Sequence, residues 1–461
     1  MSLKVPNTFV LIFLLIALVA GLTWVVPGGE FDRVEKNGRQ VVEPGTFEVV
    51  ESEPQGLVAI FLSPIKGFVD AAEIIGFVLL VGGAFGAIQH TGAIDAALRS
   101  LALAQERSRL LRLALIPIFM VVFSLGGATF GMSEETIPFV LIFVPLALSL
   151  GYDSIVGVAI PFVGAGAGFA SAFLNPFTVG VAQGIAEVDQ FSGLEYRLVC
   201  WVVITTVAIV WVMRYAAKIQ AKPELSLVYD IDQRKRESGV HWSADEHEGM
   251  TTRQRWVLIV FALGLVALVI GVLQAGWYIQ EIAALFLAIG VIGGLVGGLK
   301  GGELVDAMLD GTKALVATAM LIAFARAVLV VAQDGRIIDT VLNALSGVIG
   351  GVHPIVSSQV MFVLQSVLNF LVPSGSGQAA LTMPIMAPLA DLVGVSRQTA
   401  VLAFQFGDGF SNLIVPTSAI CMGVLTLAEI PWDRWVRWML PLQAVFLLIG
   451  FLLLIPAHFI W

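Results

Sequence analysis

The sequence predicts an all-α polytopic membrane protein arranged as an inverted repeat, with two re-entrant hairpins and two broken helices. Three observations predict it: the composition, the distribution of Lys and Arg between loops, and a set of motifs that recurs in the same order in both halves. The chain has 461 residues, of which 58% are hydrophobic and 13% charged, and its mean hydropathy is +0.92. Soluble domains average about 25% charged residues, and apolar stretches of about 20 residues recur from end to end here, so the class is a multi-span helical membrane protein. The net charge of -9 is spread over loops without a basic patch, which excludes nucleic acid as a partner and leaves the lipid bilayer. Cys200 and Cys421 both fall in apolar segments and read as packing residues. The first apolar stretch, VPNTFVLIFLLIALVAGLTWVV, reads as a retained span. Bulky Leu18 stands where signal cleavage would need a small residue, and the apolar run continues past it.

Cytoplasmic loops retain Lys and Arg, so charges orient the spans. The polar loop at 28–56, with Arg33, Lys36 and Arg39 among many acids, is placed outside. A span over 72–90 leads to Arg99, Arg107, Arg109 and Arg112, which belong inside. A cytoplasmic loop at 218–254 carries Lys218, Lys222, Arg234, Lys235 and Arg236, and a linking transmembrane helix follows at 255–276. Lys300, Arg434 and Arg437 also fall inside, whereas Arg197, Arg336 and Arg397 fall outside. The expectation is a multi-pass protein of a bacterial-type inner (cytoplasmic) membrane, with its N-terminus cytoplasmic and its C-terminus outside. It requires the regions 113–151 and 354–394 each to enter and leave on one side. Each has two apolar arms around a Gly/Ser/Thr-rich tip, and arms of about 15 residues are short for a span of about 20 but suit a re-entrant hairpin. Their open ends face opposite sides.

Other motifs repeat in order. KGFVDAAE (66–73) echoes GELVDAML (302–309), and HTGAIDAAL (90–98) echoes DGRIIDTVL (334–342). The tip GGATFGMSEETIP (126–138) echoes VPSGSGQAALTMP (372–384). After each hairpin comes a span interrupted by a polar, Pro-bearing stretch, FASAFLNPFTVG (169–180) and DGFSNLIVPTSA (408–419). The expected first repeat is 1–217, with its hairpin at 113–151 and broken helix at 155–188. The second is 277–461, with its hairpin at 354–394 and broken helix at 398–428.

Polar backbone at membrane depth is tolerated where it lines a cavity or is buried in protein. Half-helix starts present N–H groups to anions and half-helix ends present C=O groups to cations, while Gly permits close approach and Ser and Thr add neutral oxygens. One cation site is expected between the first tip (Gly127, Thr129, Ser133) and the first break (Asn175, Thr178). Its mirror would use Ser374, Ser376 and Gly377 with Asp408, Ser411, Asn412 and Thr417. Charged side chains at bilayer depth cost about 2.5–3.5 kcal/mol on insertion scales, so Glu134, Glu135, Asp408 and Arg326 are candidates for a substrate site. The carboxylates suit an ammonium or guanidinium group and Arg326 suits a carboxylate. Glu134 has a second reading as a cap on the hairpin's second arm, and Arg326 as a snorkelling side chain. GVIGGLVGG (290–298) reads as a close-packing seam, because the Lys-Ser/Thr end of a phosphate loop is missing. No Ser/His/Asp set or HExxH appears, so the chain is not expected to be an enzyme.

The stretches GGATFGMSEETIPF, FLNPFTVGVAQ, ARAVLVVAQDGRIIDTVL, VPSGSGQAALTMPIMAPLADLVGVSRQ and DGFSNLIVPTSA resemble the DcuC (C4-dicarboxylate anaerobic carrier) family, and within it the YfcC-like members. That family is similar to INDY-type and AbgT-type carriers, and the likeness covers nearly the whole chain. The resemblance implies a scaffold domain that dimerises, a transport domain that moves across the membrane as an elevator, sodium or proton coupling, and a small charged metabolite as substrate. It carries a substrate role to Thr129, Asn175, Ser374, Gly375, Ser376, Asp408 and Asn412, and a coupling-cation role to the tips and breaks. The INDY-type tips carry Ser-Asn-Thr, whereas the first tip here has Glu134 and Glu135. Two extra carboxylates favour an amino acid, including a basic one, over a C4-dicarboxylate, which stays the alternative together with a passive channel. No resident cofactor is expected.

Overall fold

A computed structural model describes residues 8–36, 39–97, 100, 109–237, 250–347 and 353–461. Arg99 and Arg107 of the charge argument, the first seven residues and 238–249 of the 218–254 loop lie outside the described residues.

The protein is nearly all helix. Helix α1 (Thr8–Leu22) is apolar throughout and is followed by four short strands, β1 (Gly29–Glu30), β2 (Arg33–Lys36), β3 (Arg39–Val42) and β4 (Glu48–Val49). β1 pairs antiparallel with β4, setting Gly29 opposite Val49, and β2 pairs with β3, setting Arg33 opposite Val42. The sequence reading had only a polar loop here. Then come α2 (Leu57–Asp70), α3 (Ala72–His90), α4 (Arg109–Phe130), α5 (Thr136–Ser149) and α6 (Ser154–Ala170). A π-turn (Pro176–Gly180) opens α7 (Val181–Ile185), and α8 (Leu194–Ala221) and α9 (Tyr229–Glu237) follow. The second half holds α10 (Thr252–Ala275), α11 (Ile279–Gly297), α12 (Gly302–Asp334), α13 (Ile338–Ser346), α14 (Pro354–Leu371) and α15 (Gly375–Leu392). It ends with α16 (Arg397–Ser411), α17 (Ala419–Leu427) and α18 (Trp432–Ile460). Among the described residues, seven helices are long and apolar enough to cross a membrane: α3, α8, α10, α11, α12, α14 and α18.

Helices α4 and α5 form one antiparallel hairpin. Their rings pair as Phe119 with Phe143 and Phe123 with Phe139, each at 5.0 Å, which centres the turn on Gly131 at φ +75°. Helices α14 and α15 form another, registered by Gln365 donating to Thr382 Oγ1 at 3.0 Å and accepting from Gln378 at 2.7 Å. The first hairpin packs its α4 arm on α6, and the second its α14 arm on α16. Glycine makes the first of these contacts possible. A Cβ on Gly127 would stand 2.1 Å from the Ala165 carbonyl oxygen and one on Gly168 1.9 Å from that of Ser124, so the two backbones interlock. Within α6, Pro161 has no N–H to give, and the backbone widens there into a π-turn over Ala159–Val163. Helix α12, of 33 residues, is the axis of the molecule and packs against α1, α2, α3 and α17. The 290–298 seam is a close-packed one, since a Cβ on Gly290 would stand 2.5 Å from Ala84 Cα in α3.

Contacts gather the loops at two opposite ends. At one end the strand layer docks on the α12–α13 junction, through Arg33 to Asp339 at 2.9 Å and Arg336 to Glu53 at 2.7 Å. The same end holds Arg397 beside Glu187 and Asp391, and Trp461 stacked edge-on to Tyr196. At the other end the segment 222–237 crosses from α8 to the α17–α18 junction as a strap. Its Asp232 accepts from the Ser154 N–H at 2.9 Å, its Lys235 donates to the Ala428 carbonyl at 2.5 Å, and its Asp230 accepts from Arg434 at 3.0 Å.

Candidate functional site

Both hairpin tips and both interrupted helices meet in the interior. Helix α6 ends at Ala170 and its continuation starts at Pro176, so the backbone groups between need partners. Phe173 and Leu174 N–H donate to the Ala128 carbonyl of α4 at 3.2 and 3.1 Å, and Asn175 Oδ1 accepts from the Phe177 and Thr178 N–H groups at 2.9 and 3.3 Å. From outside the break, Gln405 of α16 donates to the Phe169 carbonyl at 2.6 Å and Arg197 of α8 to that of Ala172 at 3.4 Å. The second interruption, between Ser411 and Ala419, is held by Asn369 of α14. Its amide donates to Ser411 Oγ at 2.8 Å and to Asn412 Oδ1 at 2.9 Å.

Asp408 is fully buried. Its Oδ1 accepts from Asn412 Nδ2 at 2.9 Å, while its Oδ2 has no hydrogen-bond partner among the described residues. Thr178 Oγ1, Thr417 Oγ1, Asn369 Oδ1 and Asn175 Nδ2 are also buried without partners. Tip two is driven into this group. A Cβ on Gly375 would lie 2.4 Å from Thr178 Cγ2 and 2.9 Å from Asp408 Oδ2, so glycine alone fits between the first break and the second-half carboxylate. Ser374 opens α15 by accepting from the Gly377 N–H at 3.4 Å, and Ser376 is half-buried on the same first turn.

Each tip therefore touches both breaks. The expectation joined each tip to the break of its own half, and such contacts exist: Ala128 and Gly131 of tip one lie against Phe173 and Asn175, and Gly375 of tip two lies against Asp408. Tip two also meets break one through Gly375 and Thr178. Ser133 of tip one shares a small cavity of about 20 Å³ with Asn412 and Ser418 of break two. Gly127 serves the α4–α6 contact, and the Thr129 hydroxyl turns back to the Leu125 carbonyl at 2.6 Å on an exposed face, away from Asn175. Ser411 likewise bonds within its own helix, to Gly407 O at the end of α16. Glu135 is buried and accepts from the Ser133 N–H at 2.9 Å, so it closes the first tip's turn; half-buried Glu134 lies beside it. Arg326 shares a cavity with Ser374 and Gly377 of tip two. It pairs with Asp70, and the cavity, of about 470 Å³, lies beneath the strand layer. Sequence reasoning missed Asn369, Gln365, Gln378 and Gln405. Each is an amide in a largely apolar helix beside a tip or break, and that setting is the signal that could have marked it.

A buried carboxylate oxygen beside orphaned hydroxyl and amide oxygens lacks a positive partner, and a proton or a monovalent cation supplies one.

The model of the C4-dicarboxylate anaerobic carrier family, DcuC, matches residues 5–459. The chain belongs to this family. It is a multi-pass membrane transporter of the DcuC type, as the motif resemblance anticipated. A relative in Escherichia coli (strain K12), a candidate basic amino acid antiporter named YfcC, is 39% identical over 94% of this chain and 92% of its own. A protein of uncharacterised function from Haemophilus influenzae (strain ATCC 51907 / DSM 11121 / KW20 / Rd) is 30% identical over 98% of this chain and 96% of its own. Among solved structures, the YdaH transporter of Alcanivorax borkumensis aligns with 99% of each chain at 19% identity and a TM-score of 0.45.

Proposed function

We propose that this carrier is a cation-coupled secondary transporter, symporter or exchanger, of an amino acid, including a basic one. The observation that carries the reading is Asp408, a fully buried carboxylate with one oxygen unpartnered, wedged against the second tip and the first break. In this reading Asp408 Oδ2, Thr178 Oγ1 and Thr417 Oγ1, with the carbonyls of the tips, hold the coupling sodium ion or proton. Ser374 to Gly377, Asn175 and Asn412 hold the cargo beside it. Glu134 and Glu135 at the first tip give the site the acidic character that a cationic cargo requires. The name of the relative YfcC supports the same cargo class.

The architecture that goes with this function is an inverted repeat of 1–217 and 277–461 in an inner membrane, with the strap end cytoplasmic and the strand layer outside. The hairpins and interrupted helices move elevator fashion against a dimeric scaffold. Because the two tips approach from opposite ends, each is reached from one side at a time, which favours alternating access over a passive channel.

Purified protein in liposomes should take up labelled L-arginine or L-ornithine when a sodium, proton or counter-substrate gradient is imposed. Uptake indifferent to every such gradient would sink the coupling. The family description favours a second cargo class, C4-dicarboxylates, and uptake of succinate or fumarate without any amino acid would establish it instead.

A further inference from the structure

The cavity beneath the strand layer is lined by neither Asp408, Thr178 nor Thr417, but it shares Ser374 and Gly377 of tip two with the proposed cargo site. Its walls are β1 to β3, the last turns of α12 and the start of α13, and its floor is the opposite face of tip two, Val372, Ser374, Gly377 and Ala380. At about 470 Å³ it is of ligand size, since small-molecule pockets run from about 300 to 1,000 Å³. Three guanidiniums, Arg33, Arg326 and Arg336, face two carboxylates, Glu30 and Asp339, across it.

The three are not equivalent. Arg33 spends Nη2 on both oxygens of Asp339 and Nη1 on the Phe31 carbonyl. Arg336 is divided between Glu30 at 3.5 Å and Glu53 at 2.7 Å. Arg326 uses only Nε, on Asp70, and neither of its Nη groups has a protein partner among the described residues. Arg326 lies eight residues before the end of α12, about 12 Å inside that end at 1.5 Å per residue. At that depth, open guanidinium donors need an acceptor, and the planar fork matches a carboxylate.

We propose that this cavity is a binding site for a small organic carboxylate on the strand-layer side of tip two, with the Nη groups of Arg326 as its anchor. The proposal rests on the transporter reading and adds a second station to it, separated from Asp408 by the thickness of one hairpin tip. An amino acid and a dicarboxylate share the recognised group, and the test separates them.

Binding of L-arginine, of agmatine (the same molecule without its carboxylate) and of succinate is measured on the purified full chain in detergent. The wild type is expected to bind L-arginine at least tenfold more tightly than agmatine. Arg326→Gln should erase that difference, Arg326→Lys should restore part of it, and Asp70→Asn, which removes the Nε partner but not the Nη donors, should preserve it. A purely structural ion pair gives the reverse pattern: equal losses of thermal stability in Arg326→Gln and Asp70→Asn, with discrimination intact. That pattern overturns the proposal. Ala380→Cys, in a chain whose own Cys200 and Cys421 are buried, gives a second readout through a membrane-impermeant thiol reagent. L-arginine, or succinate in its place, should slow labelling at least threefold. Protection by succinate alone keeps the site and displaces the amino-acid cargo. Labelling unaffected by either ligand, in protein that still performs gradient-driven uptake, overturns the site and leaves the transporter reading standing.

Discussion

Asp408 and Gly375 carry the sharpest single-residue consequences. Asp408→Asn keeps the volume and the bond to Asn412 but removes the charge, so coupled uptake should fall about tenfold or more while the protein inserts and unfolds normally. Sodium and proton dependence unchanged from wild type would remove Asp408 from the cation site. Gly375→Ala forces a methyl against Thr178 and Asp408, an overpacking worth about 1–3 kcal/mol, and should lower both melting temperature and uptake. Gly21→Ala is the control, because a Cβ there meets nothing within 4 Å in α1, and it should be neutral or slightly stabilising. At this scale the sequence was partly readable. Asp408, Asn412 and Ser374 stood out as polar groups in greasy surroundings, and the structure gathers Asp408 and Asn412 within one hydrogen bond. Asn369 and Gln405 did not stand out. Asn369 lies in the last turn of α14 and Gln405 in the middle of α16, and the role of each exists only once another helix presents a broken end. The contact of Gly375 with Thr178 joins residues almost 200 positions apart, and no local pattern encodes it.

The elements differ in how far their sequence announced them. The two helix pairs around Gly-rich tips were legible as pairs. Their arms were expected at about 15 residues, whereas α4 runs 22 and α14 and α15 run 18 each, and α14 is long enough to span. The strand layer was not legible, because its alternation lasts only a few residues amid many charges; Asn37-Gly38, a common hairpin pair, was the available cue. The strap was hidden for a different reason. Its helix α9 is charged throughout, and what fixes it is partners elsewhere: Ser154, Ala428 and Arg434. Asp232→Ala leaves the buried Ser154 N–H unpaired, at about 1–3 kcal/mol, so trypsin should cut at Arg234, Lys235 or Arg236 markedly faster than in wild type. Unchanged cleavage would mean that the strap is held without Asp232. The strap should also respond to pH. A hydrogen bond from Arg434, with its charge, holds the Asp230 carboxyl below the usual range. Its contribution is present at neutral pH and is lost as pH falls through that lowered value. Burial pushes Asp232 up, so it acts in the opposite sense, weakening as pH rises through its raised value. Hydrogen exchange of 222–237, corrected for intrinsic rates, should therefore quicken on the acid side in wild type and lose that step in Asp230→Asn.

For the whole molecule, α12 is the long helix against which α1, α2, α3 and α17 pack. The strand layer is tied to the start of α13, just beyond it, through Asp339, which is 4% exposed and accepts from the Phe31 N–H at 3.0 Å as well as from Arg33. Asp339→Ala strands both donors and should cost about 1–3 kcal/mol, read as a lower melting temperature. A variant as stable as wild type would show the layer to be held by its backbone contacts alone. Opposite this axis lies the α4–α6 seam, where Gly127 and Gly168 set backbone against backbone. Such a seam has no side chains to slide over one another, so it behaves as a weld. Any working stroke must carry the first tip and the first interrupted helix as one piece, and a pair of distance labels placed across the weld should read the same separation at every stage of the cycle.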